Sequence, residues 1–405
     1  MLKAVIFDMD GVIIDSEPLH ARAAILAAEK YGVHINNDFC SHYIGSPARE
    51  MFGDILTQYK PAATLEQLIS ANSYYNNQLL KEEPYTAIEG IPELVKDLTR
   101  HGIRLAIASS STLGQIENVL HDTKLSKYFQ VIVSGAAIPH PKPSPDIFLK
   151  ALSELGIRAD EAVVIEDSYF GVCAARSAGI ACLGYINPNS GRQDLSQADL
   201  LTESFKDIGF SYMENLLKRC NGEPILITKT KRLVLRELAV SDIPMVYQIY
   251  QNPNVRKYID DLNDYLETEM EKQKAYIKNV YGFYGYGLWG VFNRDGSTLI
   301  GRSGIQNTII DGRPEIELSY LLDEKHWGMG YALECSRAVL TYAARELGID
   351  NVVAVVDEAN LRSIKVALRN GMHMEKELWH HGRRCFLFRI TNILETLRTY
   401  SRNPI

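Results

Sequence analysis

Short runs of apolar residues, each followed by polar or small residues, recur along the first half of the chain. They lie at residues 3–7, 104–109, 131–134 and 162–165. Nearly continuous apolar runs of this length are typical of strands that are covered on both faces in a parallel sheet. Between residues 16 and 88 the apolar positions follow helical spacing instead. This order predicts an α/β domain with an all-helical insertion after its first strand.

The second half of the chain has a different pattern, in which apolar and polar residues alternate. Residues 288–293, 299–310 and 316–322 are predicted to form three successive antiparallel strands, with Asp311-Gly312 as a hairpin turn. A long amphipathic helix follows and ends near Leu347. The pattern predicts a mixed α+β domain with a central, mostly antiparallel sheet.

Turn-forming residues at 221–224 separate the two patterns. We therefore predict two domains, at 1–222 and 223–405, the first with a helical cap at about 16–88. The first domain carries 19 Lys and Arg against 27 Asp and Glu, and the second carries 24 against 23. This uneven charge supports a fusion of two domains and argues against nucleic-acid binding through a broad basic face.

The composition is that of an ordinary globular protein, with 46% hydrophobic and 23% charged residues among 405. Its apolar runs are far shorter than the roughly 20 residues of a membrane helix, and the first run stops at Asp8. We expect neither a membrane partner nor a signal peptide. Six scattered cysteines without a Cys-x-x-Cys pair favour reduced thiols and a cytoplasmic location over a disulfide framework or a zinc site.

Two aspartates, Asp8 and Asp10, follow the first predicted strand and precede Gly11. In an extended segment, residues two apart point the same way, so both carboxylates can address one site at the strand's C-terminal end. Adjacent carboxylates repel each other unless a cation lies between them, which predicts a hard ion such as Mg²⁺. By itself, Asp-x-Asp is better explained as an acidic turn after a buried strand.

The wider segment Asp8–Glu17 resembles the signature of haloacid dehalogenase-like (HAD) phosphohydrolases, and the helical insertion resembles the cap of their β-phosphoglucomutase-like branch. The resemblance implies a Rossmann-like fold in which Asp8 is the nucleophile that becomes an aspartyl-phosphate. It implies that Asp10 is the general acid and base. Ser109, at the end of the second strand, is then the phosphate-binding hydroxyl, and Ser110 lies beside it in the substrate site.

Three further residues fit the same resemblance. Prolines on both sides of Lys142 hold its backbone stiffly, which suits a fixed cation beside a phosphorylated aspartate. Glu166 and Asp167 follow the fourth apolar run. With Asp8 and the backbone carbonyl of Asp10 they can complete an oxygen shell around Mg²⁺.

The cap bears on the choice between a phosphatase and a phosphomutase. Gly45 and Arg49 resemble the specificity loop of β-phosphoglucomutase-like caps, and His20 matches their hinge position, although His20 and Arg49 are equally well explained as surface helix residues. The cap lysine of the mutases has no counterpart, because no lysine lies between Lys60 and Lys81. We therefore favour a small-metabolite phosphatase, with sugar phosphates as the preferred class, over a phosphomutase.

A glycine-rich turn directly precedes the long helix of the second half. Amides at a helix N-terminus and the helix dipole favour an anion, although Gly-x-Gly alone is a weak signal and the βαβ context of a dinucleotide site is absent. The order of elements resembles the GNAT acetyltransferases, and the form of the turn resembles the branch that includes ribosomal-protein N-terminal acetyltransferases. In that family the turn binds the pyrophosphate of acetyl-CoA. The implied cofactor-binding residues are Trp327, Gly328, Met329, Gly330, Tyr331, Ala332 and Asn360.

Catalytic residues of the second half are candidates only. Glu317 is the candidate base for an amine acceptor, and Glu315 competes with it from the same strand face. Ser363 is the candidate acid for the CoA thiolate, or simply a helix cap, while Glu334 is expected to be structural.

The whole chain is thus expected to be a bifunctional enzyme, a Mg²⁺-dependent phosphatase joined to an acetyl-CoA-dependent N-acetyltransferase. The second half could instead be a degenerate CoA-binding regulatory module. The covalent linkage motivates one further hypothesis, that both halves act on a single metabolite such as an amino-sugar phosphate.

Overall fold

The computed structural model describes residues 1–43, 48–258 and 265–402. The chain divides into two compact units, Met1–Asn221 and Gly222–Ile405. The six cysteines, all within the described residues, form no disulfide. Among the described residues, no helix combines the length and the apolar character that a membrane crossing requires.

The first unit is built on a parallel sheet of six strands in the order β3-β2-β1-β4-β5-β6. Its strands are β1 (Ala4–Phe7), β2 (Arg104–Ser109), β3 (Val131–Ser134), β4 (Ala162–Glu166), β5 (Ala181–Tyr185) and β6 (Leu200–Thr202). Every residue of β1 is buried, and its neighbours on both sides are parallel to it. The residues that follow β1, β2 and β4 are therefore brought together at one edge of the sheet.

Helices cover both faces of this sheet. Those of the first unit are α1 (Glu17–Glu29), α2 (Asn37–Ser41), α3 (Ala48–Tyr59), α4 (Leu65–Glu82), α5 (Ile91–Arg100), α6 (Leu113–Asp122), α7 (Asp146–Leu155), α8 (Tyr169–Ser177) and α9 (Phe210–Cys220). Val5 and Phe7 pack in a core with residues of α5, α6 and α9, whereas Ala4 and Ile6 pack with residues of α7 and α8. The predicted α/β class with a parallel sheet is confirmed.

Helices α1 to α4 lie between β1 and β2 in the chain and have a small core of their own, which includes Ala28, Phe52 and Leu68. Ser16 stands at the N-cap position of α1, with Pro18 in the first turn. The described residues between 16 and 88 contain no strand.

One strand of the first unit was not predicted. All five residues of β5 are buried beside β4. Helix α8 begins at Tyr169, and the Ser168 side chain caps it by accepting a hydrogen bond from the amide of Gly171.

The second unit contains a mixed sheet of eight strands in the order β13-β14-β12-β11-β10-β9-β8-β7. They are β7 (Leu226–Lys229), β8 (Leu233–Arg236), β9 (Leu288–Asn293), β10 (Leu299–Ile310), β11 (Arg313–Leu322), β12 (Asn351–Asp357), β13 (His373–His380) and β14 (Arg383–Thr391). All neighbours are antiparallel except β11 and β12, which are parallel and pair at Glu317 and Val353. The predicted mostly antiparallel sheet is confirmed.

Helices flank this second sheet. They are α10 (Ile243–Tyr250), α11 (Pro253–Arg256), α12 (Leu266–Tyr276), α13 (Tyr331–Glu346), α14 (Leu361–Arg369) and α15 (Ile393–Arg402). The β10–β11 hairpin turns at Asp311 and Gly312, whose φ angles are +50° and +76°, as a two-residue turn of this type requires. Strand β11 begins at Arg313, three residues before its predicted start. The sequence analysis assigns no element to β13, β14 or α15.

Candidate active sites

The first site is centred on Asp8, at the end of the buried strand β1. Asp8 is only 7% exposed. The Lys142 ammonium donates to Asp8 Oδ1 at 2.5 Å, to Glu166 Oε1 at 2.6 Å and to the Ala108 carbonyl at 3.2 Å. Three strand ends therefore converge on one lysine, as the parallel sheet predicts.

The loop that carries Lys142 is fixed by bonds of its own. Before α7, His140 Nδ1 and Ser144 Oγ lie 2.8 and 2.9 Å from the two carboxylate oxygens of Asp146. Burial disfavours the Lys142 ammonium, but the charges of Asp8 and Glu166 outweigh that penalty and raise its pKa. Lys142 is therefore a permanent cation beside Asp8.

Glu166 and Asp167 follow β4 and are held by the surrounding backbone and hydroxyls. Glu166 Oε2 accepts hydrogen bonds from the Asp167 amide, the Ser168 amide and Ser168 Oγ, at 2.9 to 3.0 Å. Glycine is required next to both acids. A Cβ on Gly11 would lie 1.9 Å from Asp167 Oδ2, and one on Gly171 would lie 1.8 Å from Glu166 Oε1.

The residues present fit a divalent cation. Asp8, Glu166 and Asp167 are buried, and each offers a carboxylate oxygen within 4.8 Å of the others. Burial raises the pKa of Asp8 well above its usual range, with Lys142 opposing this and Glu166 and Asp167 adding to it. Burial and the charge of Glu166 raise the pKa of Asp167 to about 7. A cation bound among these oxygens would relieve that repulsion, and carboxylates are the ligands that Mg²⁺ prefers.

Asp10 is held apart from that cluster. Its Oδ1 accepts from Ser16 Oγ and its Oδ2 from Ser111 Oγ, both at 2.9 Å. Ser109 is buried, and its Oγ accepts from the Ser111 amide at 3.1 Å. Ser110, the other predicted residue of this segment, is exposed.

The predicted cap residues are tied to the site to different degrees. His20, on α1, lies close enough to Asp10 for that charge to favour its protonated form, although desolvation outweighs this and lowers the pKa of His20. Arg49 is exposed on α3, and its guanidinium lies 3.8 Å from Glu66, which is also a cap residue. Gly45 lies outside the described residues.

Sequence reasoning missed a loop that follows β5 and holds three parts of the site. Asn187 Nδ2 donates to the Gly11 carbonyl at 3.0 Å, and Ser190 Oγ donates to Asp167 Oδ2 at 2.5 Å. Asn189 Nδ2 donates to the carboxylate of Asp15. The available signal was the Asn-Pro-Asn-Ser-Gly sequence of turn residues directly after an apolar run. Ser16 and Ser111 were also missed, because nothing in the local sequence marks them as partners of Asp10.

The second site begins at the turn before α13. Gly328 and Gly330 have φ angles of +77° and +78°, a conformation that favours glycine. Within the described part of the chain, the backbone amides from Gly328 to Ala332 donate to no backbone carbonyl. They are therefore available to an anion at the N-terminus of a 16-residue helix.

Side chains around this turn hold its shape. Arg232 Nη1 donates to the Met329 carbonyl at 2.9 Å, and its Nε donates to Glu334 at 2.6 Å. The same guanidinium lies 4.3 Å from the centroid of the Tyr331 ring. Glu334 also accepts from Thr230 Oγ1 at 2.6 Å, which gives it contacts of the structural kind expected of it.

Trp327, the first residue of the predicted cofactor set, is fixed against the sheet. Its Nε1 donates to the Leu322 carbonyl at 2.8 Å, and the Arg362 guanidinium lies 4.7 Å from its ring. Met329 is exposed. Asn360 caps α14, because its Oδ1 accepts from the Ser363 amide at 3.1 Å.

The structure separates the two competing glutamates of β11. Glu315 forms two hydrogen bonds with the Arg389 guanidinium, at 2.8 and 3.0 Å, and this pairing lowers its pKa. Glu317 is 9% exposed, and burial raises its pKa although Gln306, the Val355 amide and Ser319 favour the ionised form. Glu317 therefore stays the candidate base, whereas Glu315 is held in an ion pair with Arg389.

Ser363, the candidate acid, lies beside a residue that sequence reasoning missed. The Tyr320 hydroxyl is buried next to Ser363, and burial raises the pKa of Tyr320 to about 12 although Ser363 opposes the rise. Tyr320 stands on the strand face opposite to Glu317. The sequence signal that could have drawn attention to Tyr320 was its position three residues after Glu317.

Comparison with known proteins supports both assignments. The first unit matches the haloacid dehalogenase-like hydrolase family at residues 5–185, and the second matches the acetyltransferase (GNAT) domain family at residues 232–373. A phosphorylated carbohydrates phosphatase of Thermotoga maritima is 36% identical over 183 residues, which are 44% of this chain and 82% of that protein.

Two further relatives match the first unit over almost their whole length. Protein CbbY of Cereibacter sphaeroides is 30% identical over 233 residues, 52% of this chain and 95% of that protein. A β-phosphoglucomutase of Bacillus subtilis is 30% identical over 213 residues, 51% of this chain and 92% of that protein. These matches indicate hydrolase and acyltransferase activities. The chain belongs to the haloacid dehalogenase-like hydrolases of the β-phosphoglucomutase-like type, fused to a GNAT acetyltransferase domain.

Proposed function

We propose that the first unit is a Mg²⁺-dependent phosphatase of small phosphorylated metabolites, with sugar phosphates as the preferred class. The observation that carries this proposal is the Lys142 ammonium, which contacts both Asp8 and Glu166 at 2.5 to 2.6 Å in a buried site. A nucleophilic carboxylate, a fixed cation and two further acids are the parts that phosphoryl transfer requires.

In this mechanism an oxygen of Asp8 attacks phosphorus, the bond from phosphorus to the ester oxygen breaks, and Asp8 becomes an aspartyl-phosphate. Asp10, held by the hydroxyls of Ser16 and Ser111, gives a proton to the departing alkoxide. Asp10 then takes a proton from the water that cleaves the acyl phosphate. Lys142 and the Ser109 hydroxyl bind the transferring oxygens.

Asp8, Asp167 and Glu166, with the Asp10 carbonyl, are the residues that would hold Mg²⁺. When bound there, Mg²⁺ supplies positive charge that neutralises the phosphoryl oxygens.

Three observations favour hydrolysis over a mutase reaction. A mutase must retain a bisphosphate intermediate, and helix α4 of the cap contributes no cation before Lys81. Arg49, the other candidate for binding a second phosphate, is exposed, and its guanidinium lies 3.8 Å from Glu66. The similarity to a carbohydrate phosphatase is also stronger than that to a β-phosphoglucomutase, at 36% against 30% identity.

The experiment is Mg²⁺-dependent phosphate release across a panel of phosphorylated sugars and other metabolites. Asp8→Asn should abolish release, while Asp38→Asn, an exposed carboxylate of the cap, should retain it. Conversion of β-glucose 1-phosphate to glucose 6-phosphate without release of phosphate would contradict the proposal and establish the mutase.

We propose that the second unit transfers an acetyl group from acetyl-CoA to an amine. The free amides of the turn before α13 support binding of the CoA pyrophosphate. Glu317 takes the proton of the attacking amine, a C–N bond forms, the C–S bond breaks, and Ser363 supplies a proton to the CoA thiolate. Release of free CoA thiol in the presence of amines tests this activity. Binding of acetyl-CoA without turnover of any amine would instead indicate a regulatory module.

A further inference from the structure

The cap of the first unit is joined to the sheet by two segments of chain, one before α1 and one after α4. They pair with each other through an antiparallel bridge between Ile14 and Ala87. The Ile88 amide also donates to the Ile13 carbonyl, at 2.9 Å. Because the cap has a core of its own and only these two connections, the contacts that hold the connections decide where the cap lies over the site.

The connection before α1 is held by two different parts of the domain. Ser16 Oγ, at the N-cap of α1, donates to Asp10 Oδ1 at 2.9 Å. Asp15 is held by the loop after β5, because Asn189 Nδ2 donates a hydrogen bond to its carboxylate. Asn189 is 174 positions from Asp15 in the chain, and β5 lies two places from β1 in the sheet. This bond therefore joins the entry of the cap to a distant strand end.

The loop after β5 is a compact turn that also contacts the proposed metal site. Asn187 Oδ1 accepts from the Asn189 amide at 2.8 Å, and the Asn187 carbonyl accepts from the Ser190 amide at 3.2 Å. Pro188 restricts the backbone between them. Ser190 Oγ donates to Asp167 Oδ2 at 2.5 Å, and both residues are buried. A shift of Asp167 therefore moves the turn that carries Asn189.

Negative charge accumulates where the chain enters the cap. Burial raises the pKa of Glu17, in the first turn of α1, to about 7, and the charges of Asp10 and Asp15 add to the rise. The amide of Asn189 offsets part of this charge by donating to the Asp15 carboxylate. A carboxylate at position 189 would instead repel Asp15 at hydrogen-bond distance.

We propose that Asn189 is a positioning residue that fixes the cap through Asp15, and that its loop transmits filling of the Mg²⁺ site to the cap. The inference rests on the proposed function, because it uses the proposed Mg²⁺ site. When Asp167 is held by a cation, Ser190 is held with it, and the turn keeps the hydrogen bond to Asp15 in place. Filling of the site therefore favours the cap position that binds substrate.

Hydrogen–deuterium exchange of the full chain, read by mass spectrometry, tests both parts of this proposal. In the metal-free protein, Asn189→Asp should speed exchange in residues 13–29 about threefold to tenfold, the effect of losing one hydrogen bond. Mg²⁺ alone should slow exchange there in the wild-type protein, and this slowing should be lost in Asn189→Asp. The double variant Asp15→Asn with Asn189→Asp exchanges the amide and the carboxylate within the pair, and it should restore both wild-type behaviours.

Kinetics supply a second readout, with p-nitrophenyl phosphate as the probe. If substrate binds only the cap position that Asn189 favours, Asn189→Asp should raise KM about tenfold and change kcat less than about twofold. The double variant should restore KM. The control is Asn37→Asp, the same change at an exposed residue of the cap, which should match the wild-type protein in exchange and in KM.

Unchanged exchange in residues 13–29 of metal-free Asn189→Asp would overturn the inference. A Mg²⁺ effect that persists there in this variant would also overturn it, because the bond from Ser16 to Asp10 would then be the link. The proposed function fails separately, if Mg²⁺ slows no exchange around Asp167 or if no phosphate ester is hydrolysed. In that case exchange in the metal-free variants still decides whether Asn189 positions the cap.

Discussion

Among single residues, Lys142 offers the sharpest test of the first site, because its ammonium contacts both Asp8 and Glu166. Lys142→Met should lower the rate of phosphate release about a hundredfold to a thousandfold, as the loss of a fixed transition-state cation does. It should also lower the free energy of unfolding at pH 8 without Mg²⁺ by about 3 kcal/mol, since buried acids lose their partner. Phosphate release and chemical denaturation measure the two effects.

The matched control for this change is Lys150→Met on α7. The Lys150 side chain is 46% exposed, and its ammonium lies 3.9 Å from Glu154. Surface pairs of this kind contribute at most about 1 kcal/mol. If both variants behave alike, Lys142 is not the cation of the site.

Glu317 gives the corresponding prediction for the second site. A base must be ionised, so acetyl transfer should fall as the pH falls through the pKa of Glu317, which burial raises above its usual value. Glu317→Gln should lower the rate about a hundredfold or more and remove this dependence on pH. The pH profile of CoA release checks both statements. Glu315→Gln should keep the pH dependence. If that variant loses the pH dependence instead, Glu315 and not Glu317 is the base.

These residues also show what a sequence reveals about a site. Asp8, Glu166 and Asp167 could be predicted to meet, because parallel strands end at one edge of the sheet. Lys142 was placed beside them by the resemblance to HAD phosphohydrolases. The separation of Glu315 from Glu317 could not, since it depends on Arg389, which is 74 positions from Glu315 in the chain. The roles of the predicted residues stay predictions until variants are measured.

At the scale of elements, the loop after β5 connects several parts of the first site. Ser190 fixes Asp167 through one hydrogen bond at 2.5 Å. Ser190→Ala should raise the Mg²⁺ concentration for half-maximal phosphate release about tenfold, because a hydrogen bond to a metal-binding carboxylate fixes its orientation. The rate at saturating Mg²⁺ should change much less. Titration with Mg²⁺ measures this, with the exposed Ser196→Ala as control. A lower rate with an unchanged Mg²⁺ requirement would contradict it.

The elements that were predicted well are those with a strong local pattern, such as β1, β2 and the β10–β11 hairpin. Strand β5 was missed because its sequence, Ala-Cys-Leu-Gly-Tyr, contains small residues and a glycine that weaken the strand signal. Gly184 nevertheless packs closely there, since a Cβ would lie 2.8 Å from the Leu201 side chain, which would have to move. Packing against β6 therefore explains a residue that local propensity disfavours.

For the whole molecule, the two units have separate cores, with Phe7 and Leu105 in one and Trp289 and Leu340 in the other. A ligand that binds only one unit should stabilise that unit alone. We therefore expect two transitions when the full chain is unfolded in a calorimeter. Mg²⁺ should raise the midpoint of one transition, and acetyl-CoA should raise that of the other. A single transition that responds to both ligands would contradict this expectation.

The rise in unfolding midpoint that Mg²⁺ causes should depend on pH. The direction of this dependence follows from the raised pKa of Asp167. Its pKa is about 7 in the folded protein against 3.8 for the free side chain, so the folded state favours the protonated acid. The stability that this proton contributes is complete below about pH 4 and is lost as the pH rises through 7. Without Mg²⁺ the first unit should therefore unfold at a lower temperature at pH 8 than at pH 6.

Protons and Mg²⁺ compete for the same carboxylate oxygens. The rise in the unfolding temperature of the first unit that Mg²⁺ causes should therefore be larger at pH 8 than at pH 6. Asp8→Asn removes one of the three clustered acids. It should make the metal-free unit more stable at pH 8 and reduce the response to Mg²⁺, whereas Asp38→Asn should change neither. An equal Mg²⁺ response at both pH values would mean that the ion binds elsewhere, because a site made of these buried carboxylates must release protons as it fills.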